Sequence, residues 1–411
     1  MSDPLAAYTL EELKQRRSLK WRHFDADVLP AWVAEMDTPL APPIAEALHD
    51  AVRRGDTGYA DPGGLPEAYA EFAGRRYGWQ PDPARMVLMP DVMRGIVEIL
   101  LLITEPGARI VVNTPAYPPF FFWLGHIDRR LVQSPLALTD EGYRLDLDRL
   151  ERDFAAGAAV YLLCNPQNPT GLVFSRDELL AVASLADRYG VRVVADEIHA
   201  PLTYEGVRHV PFGSLPVPAA QRAVTSVSAS KAWNLAGLKA ALLVAGPESW
   251  SEVARIPEEV QYAASLAGVI ASEAAFRDGE PWLSSLLASL ARNRTLLGEL
   301  LGPALPGVVY HPPQATYLTW LDCRALGLAR DPAEHFLEHG RVALASGPNF
   351  GADYTGFVRL NLATAPEHLI EVVRRMAASL PAAGSVPAGS GPSGSEPVLP
   401  PPVRSRTDGS P

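Results

Sequence analysis

AAVYLLCNPQNPTGLVFSRDELLAVASLADRYGVRVVADEIH, residues Ala158–His199, contains two apolar runs with a helical pattern between them. The runs are Ala158–Cys164 and Val191–Asp196; the helix is Ser175–Gly190. Its ends are readable: Ser175 and Glu178 form a capping box, and Gly190 suits a left-handed stop. Strands that are apolar almost throughout, with helices between them, predict a mostly parallel sheet buried on both faces. Four more runs extend the pattern: Met86–Met89, Arg109–Asn113, Ala223–Ser228 and Ala240–Ala245. The predicted fold class is α/β.

The bulk composition is consistent with this. A chain of 411 residues that is 47% hydrophobic can bury a large core and has room for two domains. A net charge of −11, from 36 basic and 47 acidic residues, argues against a nucleic-acid partner. The opening MSDPLAAYTLEELKQRR has no apolar core, so no secretory signal is expected. The apolar stretch Ile96–Ile103 is broken by Glu98 and is too short for a bilayer, so no membrane partner is expected. Cys164 and Cys323 form no CxxC pair, which fits a reducing, cytoplasmic location. In residues 381–411, Pro, Gly and Ser supply 19 of 31 positions, too polar a composition to offset chain entropy; a disordered tail is expected.

In parallel sheets ligands sit at the carboxyl ends of the strands. There the chain places Asn113-Thr-Pro-Ala-Tyr117, Asn165-Pro-Gln-Asn-Pro-Thr-Gly171, Asp196-Glu-Ile-His199 and Ser228-Ala-Ser-Lys231. Each has an ordinary reading: Asn168 as turn chemistry, Asp196 as a cap or surface acid, Tyr117 as packing, Lys231 as a solvated amine. Together they match what pyridoxal 5′-phosphate (PLP) requires. That cofactor needs an amine for its aldehyde, a carboxylate at its ring nitrogen, a donor at its phenolic oxygen, a stacking ring, and hydroxyls with a cation for its phosphate.

The set resembles the fold-type I PLP enzymes of the class I/II aminotransferase superfamily, over roughly residues 5–380. The resemblance rests on Asn-Pro-Thr-Gly, on Asp196 28 residues beyond Asn168, and on Ser-x-Ser-Lys ending 35 residues beyond Asp196. Three further stretches resemble the cystathionine β-lyase-like C–S lyases of MalY/PatB type. They are Lys20-Trp21 with Leu29-Pro-Ala-Trp-Val-Ala-Glu-Met-Asp37, Asp196-Glu-Ile-His199, and Lys231-Ala-Trp-Asn-Leu-Ala-Gly237. The resemblance implies a mostly parallel seven-stranded sheet between helices, plus a smaller α+β domain. Residues 1–49 are then the N-terminal arm with part of the small domain, 50–288 the PLP-binding domain and 289–380 the C-terminal small domain.

It also implies roles. Lys231 is the Schiff-base lysine and moves the substrate Cα proton. Asp196 pairs with the ring nitrogen, Asn168 donates to the phenolic oxygen, and Tyr117 stacks on the ring. Ser228, Ser230 and the amides of Val92 and Met93 hold the phosphate, the amides because a helix N-terminus favours anions. Lys239 stands where many relatives have an arginine, giving a point charge in place of a planar fork. Asp91, beside the phosphate, is expected to point away as a helix cap. His199 stands where aminotransferases usually have tyrosine, and three roles stay open for it: bonding the phenolic oxygen, supporting Asp196, or filling space. Tyr59 resembles the tyrosine that reaches the phosphate of a neighbouring subunit, so a homodimer with a shared site is implied. Arg359 resembles the clamp on the substrate α-carboxylate, and Trp32 and Asp37 are expected at the substrate entrance. The motif His335-Phe-Leu-Glu-His339 spells a zinc-peptidase pattern without supporting context, and no metal is expected.

The C–S lyase branch implies β-elimination of cystathionine or other cysteine S-conjugates to a thiol, pyruvate and ammonia. An aminotransferase of broad amino-acid specificity uses the same residues and remains an alternative, as does a non-catalytic binding or regulatory protein on the same fold.

Overall fold

A computed structural model describes residues 3–380, and the tail expected to be disordered, 381–411, lies outside them. The chain up to Ser379 forms one compact unit. Its centre is a seven-stranded sheet built from β1 (Met86–Met89), β2 (Arg109–Thr114), β3 (Arg130–Pro135), β4 (Val160–Cys164), β5 (Arg192–Asp196), β6 (Val224–Val227) and β7 (Ala241–Ala245). The spatial order is β1-β7-β6-β5-β4-β2-β3. Strands β3, β2, β4, β5 and β6 run parallel, while β7 is antiparallel to both of its neighbours.

Both faces of this sheet are covered, and the strand sequences explain why. Along β4, Val160 and Leu162 enter one core with Ile96 and Leu100 of the helix Val92–Ile103. Tyr161 and Leu163 enter the opposite core with Leu179, Val182 and Ala186 of the helix Arg176–Tyr189. Successive side chains alternate faces, so a strand covered on both sides must be apolar at every position. The helix Arg176–Tyr189 has the expected ends: Ser175 and Glu178 form a reciprocal capping box, and Gly190 stops it at φ 69°. Strand β3 was not among the strands read from the residues. It lies at the sheet edge, with Arg130 and Gln133 exposed, so it lacks the continuous apolar run that marks its neighbours.

A second sheet comprises β8 (Val309–Tyr310), β9 (Leu318–Asp322), β10 (Ala345–Ser346) and β11 (Phe357–Asn361), antiparallel in the order β8-β9-β11-β10. The approximate domain boundaries expected from the sequence both fall within helices. Residues 49/50 fall inside the helix Pro42–Arg54, and 288/289 fall inside the 25-residue helix Glu280–Ala304. Among the described residues, no helix is long and apolar enough to cross a membrane.

Candidate active site

A cavity of about 730 Å³ opens at the carboxyl ends of the parallel strands. Its lining includes Lys231, Asp196, Asn168, Tyr117, His199, Ser230, Lys239, Val92 and Met93. These residues come from the ends of β2, β4, β5 and β6, from the N-terminus of the helix Val92–Ile103 and, for Lys239, from the segment leading into β7. Four adjacent parallel strands thus deliver their C-terminal residues to one place.

Asp196 is buried and receives one hydrogen bond, from the Ile198 amide at 3.1 Å. Burial pushes its carboxyl up to about 7, with the Glu197 charge adding to the rise and the nearby Lys231 charge opposing it. Burial and the positive charge of Arg359 bring Lys231 down to about 8, and among the described residues its Nζ hydrogen-bonds only the Ala34 carbonyl, at 3.2 Å. No salt bridge joins Lys231 to Asp196 among the described residues. Both groups are therefore held away from water with part of their electrostatic need unmet.

Asn168 gains its orientation from a strand of the second sheet. Its Oδ1 accepts from Arg359 Nη1 at 3.0 Å, which leaves the Nδ2 amide as a donor on the cavity wall. Arg359 is buried on β11, gives Nη2 to the Trp32 carbonyl at 2.9 Å, and has no acceptor at Nε. Burial brings this guanidinium down to about 10, so a buried cation stands beside the cavity without a carboxylate partner. His199 is buried on the lining, its Nδ1 has no partner, and burial with the Lys231 and Arg359 charges brings it down to about 3. Its imidazole is neutral at physiological pH, and no hydrogen bond links it to Asp196 among the described residues. Burial pushes the Tyr117 phenol up to about 12, so the ring faces the cavity uncharged.

Five of the expected residues, Asp37, Trp32, Ser228, Tyr59 and Arg359, do not line the cavity. Asp37 is buried in an ion pair with Lys20 at 2.7 Å and accepts from the Trp21 indole at 2.9 Å, so it braces the arm. Trp32 packs its ring against His23 and Phe24 and is absent from the lining; only its carbonyl reaches Arg359. Ser228 spends its hydroxyl on the turn, donating to the Ala240 carbonyl at 2.7 Å and accepting from the Ser230 amide at 3.0 Å, and it does not line the cavity. Tyr59 is 86% exposed beside Tyr262, outside the cavity. His335, of the zinc-like motif, bonds the Ser379 carbonyl at 3.0 Å.

Residue reading missed other parts. The carbonyl of Ala34 holds Lys231, and the arm carrying it is clamped by Asn234, which accepts from the Met36 amide at 2.8 Å and donates to its carbonyl at 2.9 Å. Asn361 adds Nδ2 contacts to the Val33 and Glu35 carbonyls. Asn234 adopts φ 59°, a left-handed conformation asparagine tolerates better than most residues.

The lining fits PLP on observations internal to the chain: a buried carboxylate short of a cation, a buried amine, an oriented amide donor, and the helix N-terminal residues Val92 and Met93 on the cavity wall. The chain belongs to the aminotransferase class I and II family, whose profile matches residues 32–376. It is 50% identical over 405 residues to a Mycobacterium tuberculosis protein provisionally named cystathionine beta-lyase, covering 92% of this chain and 98% of that one. It is 39% identical over 376 residues to the cystathionine beta-lyase of Corynebacterium glutamicum, covering 90% and 99%. Among solved structures, a provisionally named PLP-dependent beta-cystathionase of Corynebacterium diphtheriae superposes with a TM-score of 0.86 at 39% identity, covering 91% of this chain and 98% of that one. The architecture is that of the fold-type I PLP enzymes.

Proposed function

We propose that this protein is a PLP-dependent C–S lyase that splits cystathionine or other cysteine S-conjugates into a thiol, pyruvate and ammonia. The observation that carries the reading is the pair of buried groups on one cavity, the Lys231 amine and the Asp196 carboxylate, neither closed off by a salt bridge. Similarity to the named cystathionine beta-lyase of Corynebacterium glutamicum favours elimination over amino transfer.

When bound, the cofactor supplies an electrophilic aldehyde and a ring that withdraws electrons from the substrate. The Lys231 amine, brought down to about 8, is neutral in an appreciable fraction of molecules near neutral pH, as a nucleophile and base must be. It secures the cofactor and then takes the proton from the substrate Cα. Asp196 keeps a proton on the ring nitrogen, and that cation meets the need its burial creates. Asn168 Nδ2 donates to the ring oxygen, and neutral His199 lies on the same lining. Arg359 takes the substrate α-carboxylate through the donors that Asn168 and Trp32 leave free. With Cα deprotonated, the electron pair forms the Cα–Cβ double bond and the thiolate departs from Cβ and takes up a proton; water then hydrolyses the released 2-aminoacrylate to pyruvate and ammonia. Tyr117 covers the ring face, and Ser230, Lys239 and the Val92 and Met93 amides take the phosphate.

We place the enzyme in the cytoplasm as a homodimer. Tyr59, exposed on its own subunit, is free to enter the partner's site, and both cysteines are unpaired. Incubation with cystathionine and no 2-oxo acid tests the activity. Release of pyruvate and a new thiol is expected. Product that forms only after 2-oxoglutarate is added would establish an aminotransferase instead.

A further inference from the structure

The phosphate end of the cavity contains a carboxylate where an anion is to bind. Asp91 caps the helix Val92–Ile103 from an extended conformation, its Oδ1 accepting from the Arg94 amide at 2.8 Å. Its Oδ2 lies 3.1 Å from Lys239 Nζ. Both residues line the cavity together with Val92, Met93 and Ser230. The expectation that Asp91 only caps the helix is therefore incomplete, because the same carboxylate also engages the lysine assigned to the phosphate.

Lys239 is held in place by its backbone. It adopts φ 55°, in the left-handed region, and its carbonyl accepts from the Ser265 amide at 2.9 Å. The neighbouring Ala240 carbonyl is fixed by the Ser228 hydroxyl at 2.7 Å. Its side chain thus reaches Asp91 from a pinned base, and no acid other than Asp91 pairs with it among the described residues.

The charges can be compared. A helix N-terminus carries about +0.5 of a charge and Lys239 adds one. A phosphate monoester carries about −1.5 to −2 near neutral pH. Asp91 cancels most of the attraction, leaving a net of about +0.5 on the protein side in place of about +1.5. It also occupies the Arg94 amide and competes for the lysine ammonium. Both side chains of the pair are about half exposed, at 55% and 41%, so solvent screens the interaction and it adds little to folding. Its consequence falls on the phosphate.

We propose that Asp91 is an affinity-lowering residue of the cofactor's phosphate site, sharing Lys239 with the phosphate so that the cofactor is held less tightly than the cation and helix alone would hold it. This rests on the PLP reading of the cavity. The resulting enzyme relies on the Lys231 linkage for retention and exchanges its cofactor with the free pool more readily than a site without the acid.

The test follows cofactor loss from the purified holoenzyme by its visible absorbance during dialysis against phosphate-free buffer. Asp91→Asn keeps the helix cap, since asparagine caps as well as aspartate, and removes only the charge. It is expected to retain PLP roughly 5- to 20-fold longer, with a steeper loss of that gain as salt rises. Lys239→Gln is expected to shorten retention, and in the double variant the Asp91→Asn gain should shrink. Pyridoxal, which lacks the phosphate, should bind wild type and Asp91→Asn equally; an unequal effect would mean a general structural change and overturn the proposal. Retention unchanged or shortened in Asp91→Asn overturns it while leaving the lyase reading intact. A wild-type protein that neither carries nor takes up PLP overturns both.

Discussion

The molecule buries two lysine–aspartate sets and treats them in opposite ways. Lys20 and Asp37 meet directly at 2.7 Å, and their remaining demands are met by the Trp21 indole at 2.9 Å and the Glu35 carbonyl at 3.3 Å. Lys231 and Asp196 lie on one cavity without a salt bridge between them, and burial brings the lysine down to about 8 and the acid up to about 7. The first set is closed and braces the arm that carries Ala34. The second is open, its unmet charge reserved for something that enters. Burial is common to both; the difference is whether the protein itself completes the pairing.

Substitutions separate the two sets. Lys231→Ala should abolish covalent cofactor attachment and lower turnover by ~10⁴-fold or more, since it removes both the tether and the base; single-turnover assays with a cysteine S-conjugate check this, and near-normal folding is expected. Asp37→Ala should do the reverse. It leaves Lys20 charged and unpaired in the interior, at about 3–5 kcal/mol of stability, read from a denaturant midpoint.

Asp196→Asn sharpens the contrast, because it should slow the reaction by roughly 10²–10³-fold yet stabilise protein stripped of cofactor. Burial raises its carboxyl to about 7 in the folded chain, from an ordinary 3.8. Between those pH values the folded chain holds a proton that the unfolded chain has released, so stability falls as pH rises through the window. Asp196→Asn should remove that slope, an effect on the order of a few kcal/mol above pH 7, read by thermal unfolding across pH. The smallest effect is expected from the double substitution Lys20→Met with Asp37→Leu. Replacing both charges by apolar groups should leave stability within about 1–2 kcal/mol of wild type, far less than Asp37→Ala alone.

The sequence disclosed most where physics is local. Six strands of the main sheet were legible because a strand buried on both faces must be apolar throughout, and the helix Arg176–Tyr189 because its capping box and Gly190 lie within the segment. Strand β3 was hidden because exposed Arg130 and Gln133 interrupt its apolar run, whereas the opposite edge strand, β1, is buried and apolar at every position. The strand-end residues Lys231, Asp196, Asn168 and Tyr117 all line one cavity, since the topology sends consecutive C-termini there. What stayed illegible depends on distant partners. Asn168 is oriented by Arg359, 191 residues away, and Lys231 is met by Ala34, 197 residues away. The pairing of Asp37 with Lys20 was illegible for the same reason: an acid near a site looks like a ligand until the lysine beside it is located. Ser228 likewise reads as a phosphate hydroxyl until the Ala240 carbonyl claims it.

The most direct test of the central claim reduces the holoenzyme with borohydride, digests it and maps the pyridoxyl label by mass spectrometry. A single label on the peptide containing Lys231 is the expected result. A label on Lys239, on Lys20 or on no lysine at all would contradict the account of the open pair.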